Sequence, residues 1–120
     1  MGLVKITARI GTTMSEARPI EFMVHTGSLN TILPPQIFDD LGIEPRHRVR
    51  VVTADNRTRV IELGSAEIEI QDRTAPILVG RMPVPAPLLG AEALEALGFK
   101  VNPVDKTLEP ARSFPEVPIL

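Results

Sequence analysis

The sequence predicts a mainly β domain, a closed or sandwiched sheet carrying two short helices. Three observations lead there. Apolar residues alternate with polar ones in several short runs, as in Val4-Lys5-Ile6-Thr7-Ala8-Arg9-Ile10, the period of a strand with one buried face. Turn formers punctuate the chain, with 8 Gly and 12 Pro among 120 residues. Helical spacing appears only in two short stretches, each closed by a glycine.

Val4 to Ile10 makes the first strand, and the small polar residues from Gly11 to Ala17 make a turn. Ile20, Phe22 and Val24 alternate with Glu21 and Met23, giving a second strand that ends near His25 and forms a hairpin with the first. Thr26-Gly27-Ser28 interrupts it. Thr31-Ile32-Leu33 is apolar again, and Pro34-Pro35 opens a short helix that Gly42 closes, because Pro suits the first helical position and Gly the cap beyond the last.

Residues 47–54 and 57–63 read as two strands around Ala54-Asp55-Asn56-Arg57, where Asp and Asn tolerate turn backbone. Ala66, Ile68 and Ile70 alternate with Glu67, Glu69 and Gln71, and residues 75–79 add a short strand. Pro83, Pro85 and Pro87 make a stiff segment that cannot donate to a central ladder. After Leu88-Leu89-Gly90, Ala91, Leu94 and Leu97 fall at helical spacing before Gly98. Val101 and Leu108 sit in two short extended pieces. The total is about seven to nine strands. Residues 1–110 form the domain and 111–120 a proline-containing tail.

Composition narrows the function. The chain is 43% apolar and 23% charged, with a net charge of −2, which is ordinary for a globular domain. No broad basic face stands out, and four Phe without Trp or Tyr argue against base stacking, so no nucleic-acid partner is expected. The absence of Cys excludes disulfides, thiolate zinc and a cysteine nucleophile. With only His25 and His47, no metal site is assigned. No apolar run is long enough to span a membrane, no secretory leader is visible, and the expected location is cytoplasmic.

Residues 20–34 read Ile-Glu-Phe-Met-Val-His-Thr-Gly-Ser-Leu-Asn-Thr-Ile-Leu-Pro. This resembles the signature of retropepsin-like aspartic proteases, in which an apolar strand runs into Asp-Thr-Gly-Ala or Asp-Thr-Gly-Ser and a Thr and a Leu-Pro pair follow. Val24, Thr26, Gly27, Ser28, Thr31, Leu33 and Pro34 fit, and His25 stands where the family has its catalytic Asp. Leu41-Gly42-Ile43 after the first helix and Leu88-Leu89-Gly90 before the second also match. The resemblance spans roughly residues 3–109.

The resemblance implies a single-lobe acid-protease β-barrel whose active site forms at a homodimer interface, with a peptide or protein substrate across it. It places His25, Thr26 and Gly27 at the catalytic position. Ser28 and Leu89 fall beside the substrate, and Ala54, Asp55, Asn56 and Arg57 at the tip of the flap, the hairpin that covers it. In the family the Thr hydroxyl bonds across the dimer, and Gly27 allows a close backbone approach. No cofactor is implied, since the nucleophile is water.

His25 decides the chemistry. Two nearby carboxyls share one proton, so one activates water while the other donates to the scissile carbonyl. A neutral imidazole offers one donor and one acceptor on opposite sides of a larger ring. The chain is therefore expected to be an inactive or strongly impaired member of the endopeptidase family, either an inactivated form of an active enzyme or a natural pseudoprotease. The alternative is a non-catalytic peptide-binding or dimerisation module.

Other charged groups have plainer readings. Asp39 and Asp40 fall on a solvated helix face. His47 lies among Arg46, Arg48 and Arg50, a solvated strand edge that could otherwise meet an acidic partner. Ser28 is expected to hydrogen-bond residue 25. Residues 3–6 or 116–120 could pair as strands across a dimer.

Overall fold

The alternation that marks the first strands becomes an antiparallel pair in the computed structural model, which describes residues 3–115. β1 (Lys5–Gly11) and β2 (Arg18–Val24) run in register from Lys5 opposite Met23 to Ile10 opposite Arg18. Ala8, Ile10 and Phe22 turn into the core. The connection is not a plain turn: it holds a single 3-10 turn at Met14–Glu16. Glu67 fixes it by accepting the Met14 N–H at 2.8 Å, a contact from far along the chain that local composition does not reveal.

β3 (Thr31–Leu33) is buried throughout and leads into α1 (Pro35–Asp40). Gly42 and Gly98, with φ of 74° and 73°, follow the helices in the left-handed backbone that favours glycine. β4 (His47–Val52) pairs with β5 (Thr58–Ile70), and β5 pairs for nine residues with β6 (Arg73–Arg81). The two runs expected on either side of Gly64 are thus one 13-residue strand. Gly64 continues it because a Cβ there would meet the Ile43 side chain at 2.5 Å and the Glu44 carbonyl at 2.6 Å. A close approach needs this glycine, and no break follows.

β7 (Leu88–Leu89), α2 (Ala91–Leu97), β8 (Phe99–Asn102) and β9 (Thr107–Pro110) complete nine strands and two α-helices among the described residues. The order β1-β2-β7-β3-β6-β5-β4 returns on itself where Arg9–Gly11 meets Glu67–Glu69, with Arg9 bonded to Glu69 at 3.0 Å. The sheet is therefore a closed β-barrel, and β4 is left as an edge strand outside the closure. This is the mainly β fold that the sequence predicts. β8 and β9 form a separate two-stranded ribbon.

Phe22, Leu33, Phe38, Ile68, Val79, Leu89 and Leu97 are among the buried side chains of the main core. A smaller cluster, Ile32, Ile61 and Leu63, is backed by Val49, Val51, Leu78, Met82, Val84 and Leu88. Among the described residues no helix is long and apolar enough to cross a membrane. Lys5 and Ile6 pair within the chain with Met23 and Phe22. The strand pairing expected of residues 116–120 lies outside the described residues.

Candidate active site

Residues 25–28 form a tight turn at the end of β2. The His25 N–H donates to Leu89 O at 2.9 Å, and its carbonyl accepts the Ser28 N–H at 3.1 Å. The carbonyls of Ser28 and Leu29 then accept the N–H groups of Ala91 and Glu92, at 2.8 and 2.9 Å. Opening N–H groups of a helix have no partner inside it. Here the turn supplies partners, so α2 clamps the turn in place.

Two further residues lock this floor. Gly90 packs so closely on the turn that a Cβ would collide with the carbonyl of Asn30. Its N–H donates at 3.1 Å to the hydroxyl of Thr31, whose side chain is fully buried. A buried N–H without such a partner costs about 1–3 kcal/mol. Thr31, matched above as a motif residue only, is thus the internal support of the turn.

The expected site residues separate by role. His25, Gly27 and Ser28 line an open cleft of about 1510 Å³. The Ser28 hydroxyl donates to Asn30 O at 2.8 Å and not to residue 25, which receives only the Ser28 backbone N–H. Gly27 has no left-handed backbone, and a Cβ there would stand 3.3 Å from Cε1 of the His25 ring. The crowding is thus with the His25 side chain. Thr26 is exposed on the turn. Leu89 is fully buried, and its neighbour Leu88 faces the cleft. A two-residue strand is too short for its alternation to be read from sequence.

The roof is the β4–β5 hairpin. At its tip the Asn56 N–H donates to Thr53 O at 2.8 Å and the Thr53 N–H to Arg57 O at 2.9 Å. Asn56 takes the left-handed conformation, φ 63°, which Asn tolerates better than most residues. Asp55 accepts from the Thr53 hydroxyl, the Arg57 N–H and Arg59. These bonds, the Thr53 hydroxyl first, hold its carboxyl below the usual Asp range. Ala54 and Asp55 line the cleft, and Asn56 and Arg57 are exposed at the tip outside its lining.

The side walls come from the smaller apolar cluster: Ile32, Val49, Val51, Ile61, Leu78 and Leu88 all face the cleft. Sequence reading did not single these residues out as a wall. The only signal was the alternation of Val49 and Val51 with Arg48 and Arg50, which fixes a face without naming its occupant. Asp39 is solvent-facing as expected, yet Arg81 grips both its oxygens at 3.0 Å. That pairing lowers the Asp39 pKa and raises that of Arg81.

A strand-ended turn clamped by a second apolar-apolar-Gly segment, facing a hairpin roof across a cleft, is the arrangement on which a retropepsin-like lobe is built. No curated protein matches the chain. The family model described as gag-polyprotein putative aspartyl protease matches residues 11–96, from the end of β1 through turn and hairpin into α2. With most of its length covered and its β-barrel in accord, the chain belongs to that aspartyl protease family.

Proposed function

We propose that the chain is a retropepsin-like peptide-binding lobe that pairs with a second copy and is disabled for hydrolysis by His25. The observation that carries the reading is the contrast at the turn. Its backbone supports are complete, through Leu89, Thr31 and α2, while the group it presents is an imidazole. A symmetric dimer would bring two imidazoles together where the family brings two carboxyls. Two coplanar oxygens let a carboxyl hold its partner and a water at once, and an imidazole lacks that geometry.

On this reading Thr26, exposed on the turn, faces the partner subunit, and the flap tip at residues 54–57 closes over the peptide. The non-catalytic alternative, a peptide-binding or dimerisation module, keeps the same groove, and the apolar wall around Val49, Val51 and Leu78 supports binding without chemistry.

The test is cleavage of a diverse peptide pool from about pH 3 to 8 by the chain and its His25→Asp form, with solution mass measured for both. Acid cleavage by the Asp form alone, as a dimer, is the expected result. Equal cleavage by both would overturn the assignment of His25. No cleavage by either, with peptide binding retained, would move the non-catalytic module ahead.

A further inference from the structure

Charge is distributed unevenly over this molecule. Residues 46–59 carry five Arg and one Asp, leaving eight basic against fourteen acidic residues elsewhere. The roof is thus a cationic arm on an anionic body. Most of its charges are committed. Arg46 bonds Glu44 at 3.2 Å, and Arg57 and Arg59 hold Asp55 at 3.7 and 3.3 Å. Arg48 stands opposite Glu62 across the strands, but Glu62 is paired to Arg81 at 3.8 Å. Among the described residues, Arg48 and Arg50 are left with no ion pair or side-chain hydrogen bond.

Both are exposed, both line the cleft, and both lie on β4, an edge strand of the sheet among the described residues. Along that edge the side chains alternate, with Arg48 and Arg50 on one face and Val49 and Val51 on the other, packed with the cleft wall. An extended peptide adding to a sheet edge reads the same period: its side chains meet the two faces in turn. A carboxylate beside each Arg gains a charge-assisted hydrogen bond, and an apolar residue between them meets Val49 or Val51.

We propose that Arg48 and Arg50 set the specificity of the cleft, selecting extended peptides in which acidic residues alternate with apolar ones. The inference rests on the cleft being a peptide groove and adds the class of peptide it takes. A nucleic acid is the poorer occupant, since no Phe, Tyr or Trp lines the cleft and its apolar wall is aliphatic.

Three labelled heptapeptides alternating Val with Glu, Gln or Lys test it by fluorescence anisotropy. They are titrated with the intact chain, Arg48→Gln/Arg50→Gln and Arg48→Glu/Arg50→Glu, each checked for fold by circular dichroism. The Glu peptide is expected to bind the intact chain about tenfold tighter than the Gln peptide. The Gln variant should lose this preference and the Glu variant should turn it toward the Lys peptide. On the intact chain alone, added salt should weaken the Glu peptide and spare the Gln peptide.

Equal binding of Glu and Gln peptides to the intact chain overturns the specificity and leaves the groove standing. A preference that survives both variants overturns the role of these two arginines. Binding of none of the peptides to any form overturns the groove reading and this inference with it. Displacement of the Glu peptide by a much tighter single-stranded oligonucleotide would replace the peptide by nucleic acid.

Discussion

The floor and the roof of the cleft are built on opposite plans. The floor, residues 25–31 with 88–92, is tied by backbone and hydroxyl bonds to a buried strand and a helix. The roof, residues 47–63, is held by the β4–β5 pairing and, at its base, by the pairing of Glu62 and Leu63 with β6 and the packing of Ile61 and Leu63 on Ile32. Its tip is exposed, and β4 contributes no fully buried residue. Charge follows the same division. His25 is the only ionisable side chain on the floor turn, whereas the roof is rich in Arg. Backbone position is therefore most firmly fixed at the floor turn, and positive charge is concentrated on the roof.

The sharpest test of this contrast acts on the floor. If the turn is as completely supported as its hydrogen bonds indicate, His25→Asp should raise peptide hydrolysis by about 10³-fold or more, read as product formed per dimer in acid. A folded Asp form with no gain would show that the supports do not position the acid. Next in size, Gly90→Ala pushes a Cβ into the Asn30 carbonyl. It should cost about 2–4 kcal/mol in urea unfolding, since backbone on both sides must move.

Thr31→Val keeps shape and removes the acceptor of the buried Gly90 N–H. A loss of about 1–3 kcal/mol is expected, with Thr31→Ser restoring much of it. On the roof, effects should be smaller. Asn56→Ala should cost about 1 kcal/mol through its left-handed backbone, and Asn56→Gly should cost nothing. A roof variant that matched Gly90→Ala in cost would erase the distinction.

The smallest effect is pH-dependent. Arg81 lowers the pKa of Asp39, so the ionised form is favoured in the folded chain. Its contribution is present above the unfolded pKa and fades as pH falls through the lowered folded value. The stability gap between the chain and Asp39→Asn should accordingly be full near pH 6 and vanish in strong acid, followed by thermal unfolding. A gap independent of pH would mean the Arg81 pair contributes nothing through charge.

Much of this was legible in the sequence because it depends on local period and turn chemistry. β1, β2, both helices with their glycine caps, and the 54–57 turn follow from neighbouring residues alone. The floor turn was legible through Thr26-Gly27-Ser28 and the later Leu-Leu-Gly. What escaped depends on contacts between distant segments. Gly64 reads as a break until Ile43 and Glu44 are seen against it. The 3-10 turn at Met14 needs Glu67. That Leu88 rather than Leu89 lines the cleft was hidden because so short a strand has no readable phase. The uncommitted state of Arg48 was hidden because its cross-strand carboxylate is taken by Arg81, on the next strand.

The single strand β5 has a further consequence, for the order of assembly. One of its ends pairs locally, with β4 across the hairpin, and its other end closes the barrel against Arg9–Gly11, close to the N-terminus. The meander β4–β5–β6 joins segments adjacent in sequence, whereas closure draws in a loop of more than fifty residues. Contacts of such high sequence separation slow folding. Before that closure the Ile68 edge of β5 lacks its partner strand. The Glu67 and Glu69 charges on that edge are placed where they discourage another chain from pairing with it first.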